Sequence, residues 1–190
     1  MTKPINLALV YGSARQGRFC DVVANWAREQ IARREAFALD LIDPADGALT
    51  AARSDAAALA ALKGRIGQAE AFLIVTPEYN HGYPGVLKLL IDSVYNEWQA
   101  KPVAFISYGG VSGGLRAVEQ LRLVFAELHA VTLRDGVSFA NAWTLFDGDG
   151  ALKEPSSANA AMSLLLSRLG WWANALREAR AASAYASTAA

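Results

Sequence analysis

Three short stretches of the chain hold residue types that can grip a ligand: GSARQGR (residues 12–18), TPEYNHGYPG (76–85) and YGGVSGG (108–114). In the first, Ser13 offers a hydroxyl, Arg15 and Arg18 offer forked cationic donors, and Gly17 lets the backbone come close. A helix pattern follows, and a helix N-terminus points N–H groups at an anion. Gly12 and Gly17 have the glycine spacing of a nucleoside-triphosphate loop. Arg18 and Phe19, however, stand where that loop needs lysine and a hydroxyl for magnesium. The dinucleotide fingerprint G-x-G-x-x-G is missing as well. A terminal monophosphate fits this loop best, and the plainer alternative is a strand–helix turn with solvated arginines.

YGGVSGG brings four glycines and Ser112 to a point just before another helix pattern. Such a loop exposes backbone N–H groups and admits a flat ligand closely. A tight turn is the simpler reading, but four glycines exceed what a turn needs. TPEYNHGYPG supplies stiff walls, because Pro77 and Pro84 restrict the backbone while Tyr79 and Tyr83 bring flat faces. A phosphate cradle, a planar wall and a row of amide donors together describe a mononucleotide with a planar, electron-accepting base. FMN meets that description.

Alternating strand and helix patterns must position these loops. Apolar periodicity predicts strands over residues 5–12, 37–43, 71–75, 102–108 and 131–139. Helices are predicted through 22–31, over 54–66, from Pro84 onward, over 115–128 and over 158–177. Near-continuous apolar strands alternating with helices mean a parallel sheet covered on both faces. Five such units suit an α/β, flavodoxin-like, doubly wound five-stranded parallel sheet in the order 2-1-3-4-5, which binds ligands beyond the carboxyl ends of its strands. The three loops follow the first, third and fourth strands, so all of them fall at that edge. A single domain over residues 1–180 is expected, with a frayed tail over 181–190.

Composition narrows the partners. The chain has 190 residues, 53% hydrophobic and 19% charged, with zero formal net charge and 18 basic residues scattered along it. That balance argues against nucleic-acid or membrane binding. No apolar stretch is long enough to span a bilayer, and the N-terminal segment reads as a first strand rather than a leader, so a cytoplasmic protein is expected. One cysteine, Cys20, and two histidines, His81 and His129, argue against a disulfide or a metal centre. Cys20 reads as a small buried residue and His129 as structural. His81 either lines an acceptor site or makes one loop hydrogen bond. Asp147 and Asp149 in FDGDG lack the remaining spacing of a calcium loop and read as a hairpin turn.

GSARQGR, TPEYNHGYPGVLK and KPVAFISYGGVSGGLRAVEQLR resemble the NADPH-dependent FMN reductases, a flavodoxin-like group that includes flavin, quinone and chromate reductases. The similarity runs over roughly residues 5–139, with the three motifs in the family's order. It implies that Ser13, Arg15, Gly17 and Arg18 hold the FMN phosphate. Pro77, Glu78, Tyr79 and Asn80 would border the isoalloxazine, and Gly109, Gly110 and Ser112 its pyrimidine end. Arg18 departs from the pattern, since many relatives carry a small or polar residue there.

The resulting expectation is an NAD(P)H-dependent FMN oxidoreductase, with NADPH or NADH as donor and a quinone, free flavin, chromate or azo compound as acceptor. No catalytic side-chain triad is needed, because the chemistry belongs to the flavin. The alternative is a flavodoxin-like electron carrier, which the neutral charge of the chain disfavours. In VLKLLIDSVYNEW the apolar residues occupy more than one helical face, whereas a helix lying on a sheet needs a stripe of about 100°. A homodimer or homotetramer through this helix is therefore expected, with Tyr83 or Trp98 closing the neighbouring site. The alternative cover is the chain's own segment around Trp143 and Phe146.

Overall fold

A near-continuous apolar strand survives only where both of its faces are covered, and three strands here are of that kind. In the computed structural model, which describes residues 3–185, they are β1 (Ile5–Tyr11), β3 (Ala71–Pro77) and β4 (Pro102–Gly109). They form the centre of a five-stranded, all-parallel sheet in the order β2-β1-β3-β4-β5, with β2 (Phe37–Ile42) and β5 (Val131–Ala140) at the edges. This is the topology that the sequence predicts. The strand β5 alternates buried and exposed residues from Val137 to Ala140, as an edge strand with one wet face should.

Two apolar layers sandwich the sheet. On one face, α1 (Cys20–Ala32) and the 27-residue α7 (Ser156–Ala182) lay Val23, Trp26, Leu165 and Leu169 against Leu7, Leu9, Leu73 and Ile106. On the other face are α2 (Ala48–Ala52), α3 (Ala56–Gln68), α4 (Gly85–Asp92) and α5 (Leu115–Glu127). Their Leu62, Ile66, Leu90 and Phe125 meet Val10, Phe72, Ile74 and Phe105. A short helix, α6 (Ala142–Leu145), follows β5 directly.

The helix after Pro84 departs from expectation. Pro84 caps it, as proline's fixed φ favours, but it stops at Asp92, where the Ser93 hydroxyl bonds back to the Leu90 carbonyl at 2.6 Å. A 3-10 turn at Asn96–Trp98 then carries Trp98 inward. Trp98 is fully buried, with its ring centroid 4.5 Å from that of Phe72 and its indole N–H on the Ile91 carbonyl. The expectation that Trp98 reaches a second subunit is therefore overturned: the chain's own core takes it. Val94 is buried in the same cluster, and Tyr83 and Val86 pack partly against it. The alternative cover fails too, because Phe146 belongs to the opposite face of the sheet.

At the C-terminus α7 runs through Ala182, and the Tyr185 hydroxyl lies 2.8 Å from His129 Nδ1. Residues 181–185 of the expected frayed tail are thus placed, and 186–190 lie outside the described residues. FDGDG forms a hairpin, with Asp147 Oδ1 accepting from the Asp149 and Ala151 amides. Cys20 is fully buried, and burial pushes its thiol up to about 11, so it stays protonated at neutral pH.

Among the described residues the buried Tyr108 hydroxyl has no hydrogen-bond partner stronger than the neighbouring Cys20 thiol. An orphaned buried hydroxyl costs about 1–3 kcal/mol, so Tyr108→Phe is expected to raise stability by roughly 1 kcal/mol. A lower denaturation midpoint for this variant would show that the hydroxyl does find a partner in solution.

Candidate functional site

The three loops do gather at the carboxyl edge of the sheet. Loop one leaves β1 pressed against β3, where the Gly12 N–H donates to the Val75 carbonyl at 2.7 Å. A Cβ at Gly12 would stand 2.7 Å from that oxygen and 2.9 Å from Thr76 Cα, so only glycine fits. Loops two and three lie side by side because Pro77 pairs with Tyr108 across the sheet and the Glu78 N–H donates to the Tyr108 carbonyl.

In loop one Ser13 is buried, with its Oγ 2.9 Å from the Tyr79 hydroxyl and accepting from the Arg15 N–H at 3.3 Å. The exposed Arg15 guanidinium lies 3.6 Å from the centre of the Tyr79 ring and makes no ion pair among the described residues. Gly17 takes φ +64°, the left-handed turn that brings the chain round to α1. These residues and the start of α1 lie on one surface, with Tyr79 as its wall.

Arg18 does something else. A guanidinium has five N–H donors, and those of Arg18 are all engaged within the protein. Nε and Nη2 each reach Asp21 Oδ1 at 2.8 Å, Nη1 meets the Ser13 carbonyl and Asp43 Oδ1, and Nη2 meets Asp43 Oδ2. Its side chain is only 8% exposed. Burial pushes the Asp43 carboxyl up, but hydrogen bonds from Arg18 and the Ala45 N–H outweigh this and leave it below its ordinary value. Instead of lying open to a phosphate, Arg18 clasps loop one to α1 and to the end of β2.

Loop two turns at Tyr79–Gly82, which exchange N–H···O=C bonds of 2.9 and 3.1 Å around Asn80 (φ +51°) and His81 (φ +71°). Two consecutive positive φ angles make the tightest kind of hairpin turn, and asparagine tolerates the left-handed region better than histidine does. The turn sets Tyr79 facing loop one and holds His81 against Arg116 and Gln120. The Glu78 carboxylate turns toward loop three and the start of α5. It accepts from the Ser112 hydroxyl at 2.8 Å, the Arg116 N–H at 3.2 Å and Arg116 Nε at 3.0 Å, tying loops two and three together.

The glycines of loop three divide by role. Gly113 and Gly114 have φ of +59° and +82°, and the Gly113 carbonyl is pinned by the hydroxyls of Ser107 and Ser138. Turn geometry accounts for these two. A Cβ at Gly109 would point at Gly114 N, 3.3 Å away, whereas Gly110 has no such conflict. The N–H groups of Gly110, Val111 and Ser112 form no hydrogen bond among the described residues, which leaves three consecutive amide donors at the mouth. The Ser112 hydroxyl is spent on Glu78, so only its backbone remains for a ligand.

Asp43 and Arg116 went unnoticed in the sequence, and Trp143 was read there only as a cover for the helix after Pro84. Asp43 is 25 residues from Arg18, a separation that carries no periodic signal. Arg116 reads as an ordinary helix-face arginine. Trp143 lies beyond the stretch in which the family resemblance is legible.

A family model described as NADPH-dependent FMN reductase matches residues 5–144. An NAD(P)H-dependent FMN reductase of Schizosaccharomyces pombe is 32% identical over 119 residues, which cover 57% of this chain and 60% of that protein. The chain thus spans about 60% of the length of this yeast relative. A quinone reductase of Pseudomonas putida is 30% identical over 166 residues, covering 81% of this chain and 88% of its own. Among solved structures, the flavoenzyme NAD(P)H:(acceptor) oxidoreductase FerB of Paracoccus denitrificans has the same fold, with TM-score 0.70, 23% identity, and coverage of 90% of this chain and 97% of that one. The matched stretch contains all three loops, and the chain belongs to the NADPH-dependent FMN reductase family.

Proposed function

We propose that this protein is an NAD(P)H-dependent oxidoreductase that holds FMN at the carboxyl edge of its sheet. Electrons pass to a small acceptor of the quinone, free flavin, chromate or azo class. The observation that carries this reading is the pairing of two binding surfaces across Tyr79. The anion surface of Ser13, Arg15 and Gly17 lies on one side, and the free amides of Gly110, Val111 and Ser112 lie beyond loop two on the other. FMN would supply the redox chemistry, taking a hydride from NAD(P)H and giving two electrons to the acceptor. The chain's own residues bind and polarise. Arg15 leaves the Tyr79 face for the phosphate, Ser13 donates its hydroxyl, and Pro77 and the Tyr79–Asn80 turn hold the ring edge. The amides of loop three stabilise negative charge at the pyrimidine end.

The test compares FMN with riboflavin. A charge-assisted hydrogen bond contributes roughly 1.5–3 kcal/mol, so FMN should bind at least about tenfold more tightly. Arg15→Ala should erase most of that difference while leaving the fold intact, because Arg15 is exposed and unpaired. Equal affinities in the wild-type protein would refute the cradle. Mixing with NADPH under nitrogen separates reductase from carrier: rapid bleaching of the bound flavin belongs to the reductase.

Assembly into a homodimer or homotetramer accompanies this proposal. With Trp98 and Val94 withdrawn into the core, it rests on Leu89 (37% exposed), Tyr95 (50%) and Leu115 (55%). No helix among the described residues is long and apolar enough to cross a membrane. A reductase drawing on NAD(P)H works where that donor is held, so the cytoplasm is the proposed setting.

A further inference from the structure

We propose that the outer face of α7 is an interface for a second copy of this chain, whose own α7 packs antiparallel against it across a two-fold axis. The face lies on the side of the sheet away from α4 and α5, and the proposal stands whether or not the flavin reading does. Met162, Leu165, Leu166, Leu169 and Ala173 form the buried side of α7. A turn of about 100° per residue puts Ser157, Ala160, Leu164, Ser167, Trp171 and Glu178 on the opposite side, at the spacing of a helix-packing seam. Leu164 is 48% exposed there and Trp171 64%. The Trp171 ring meets that of Trp172 edge-on at 5.1 Å, which holds its direction.

The occupant is a second copy because the face is complementary to itself. Leu164 and Trp171 lie equally far on either side of the point between Ser167 and Arg168. Ala160 and Ala175 do so too, as do Ser157 and Glu178. An antiparallel partner centred on that point sets each leucine against a tryptophan, and small residues against small ones. At both ends it brings the exposed Glu178 carboxylate to the first turn of the partner's α7, an N-terminus with no side-chain cap. A carboxylate is favourable at such an end. Near the axis Arg168 is already paired with Asp135, and Arg34 is drawn onto the exposed flank by Ser163 and Ser167. No free charge is trapped in the seam.

Sedimentation at micromolar protein and disulfide trapping test the interface and its register together. Trp171→Glu should weaken self-association at least about 100-fold, with circular dichroism and FMN binding unchanged. Ser167→Cys stands beside its own copy across the axis, so oxidised glutathione should join two chains through it. Ser157→Cys is the control, because its copy would lie about 31 Å away along the helix pair, too far for a disulfide. The native Cys20 is fully buried and stays out of the reaction. A monomeric wild-type chain, unchanged sedimentation of Trp171→Glu, or equal cross-linking at both positions would overturn the interface. Trp171-dependent binding of a monomer to anionic lipid vesicles would do the same, since the face would then belong to a membrane surface. Association lost in Tyr95→Glu but kept in Trp171→Glu would assign assembly to the α4 side and also overturn it. FMN and riboflavin affinities are read on the same samples, and a failure there refutes the flavin reading while leaving the interface in place.

Discussion

Replacing Gly114 with alanine is expected to lower stability by about 3 kcal/mol and to abolish tight FMN binding, because two separate penalties fall on one residue. Gly114 has φ +82°, and a side chain in the left-handed region costs roughly 1–2 kcal/mol. Its Cβ would also stand 2.9 Å from Ser107 Cβ, Tyr108 N and Tyr108 O. Two of those atoms are backbone in a central strand, so they cannot swing aside, and overpacking of this kind adds about 1–3 kcal/mol. In a domain of this size the melting temperature should fall by roughly 6–12 °C. Gly110→Ala is the matched control, with no left-handed φ and no close contact, and its midpoint should stay within about 0.5 kcal/mol of wild type. Equal midpoints for the two variants would mean that loop three relaxes freely and that its glycines are interchangeable.

That contrast shows where the sequence was legible. The periodic apolar strands announced the parallel sheet because burial on both faces leaves no other composition for β1, β3 and β4. The three loops could be placed at one edge because parallel connectivity alone dictates which loops share it. Counting glycines in YGGVSGG, by contrast, could not separate Gly113 and Gly114, which turn geometry demands, from Gly110, which it does not. At Gly109 a side chain would meet Gly114 and Glu78, so close packing within the loops favours glycine there. The break at Ser93 was invisible because VLKLLIDSVYNEW keeps an apolar pattern through it, and only the vacancy between Phe72 and Phe125 explains why Trp98 turns inward. The contacts of Arg18 were illegible for a similar reason, since its partner Asp43 enters from the end of a different strand.

Asp43→Ala is expected to cost about 2 kcal/mol of stability and to weaken FMN binding roughly tenfold, although Asp43 is no part of the anion surface. Breaking a buried ion pair strands the remaining charge, and the cost is tempered here because the Asp43 side chain keeps 24% of its exposure. Freed from Asp43, Arg18 no longer fixes the Ser13 carbonyl, and the loop loses the shape that presents its hydroxyl. The sign of the affinity change is decisive. If Arg18 were a phosphate ligand restrained by Asp43, releasing it would tighten FMN binding. If it is a clasp, Asp43→Ala and Arg18→Met weaken binding alike, and the double variant is no worse than either. Acid should act in the same direction. The folded state holds the Asp43 carboxyl below its ordinary value, so its contribution is complete above about pH 4, the unfolded carboxylate's pKa. It is then lost as pH falls through the depressed folded value, because the unfolded chain binds the proton first. Asp43→Asn cannot titrate, so its stability should fall less steeply below about pH 4 than that of the wild-type protein. Parallel acid limbs for the two proteins, measured by denaturant titration, would remove Asp43 from the clasp.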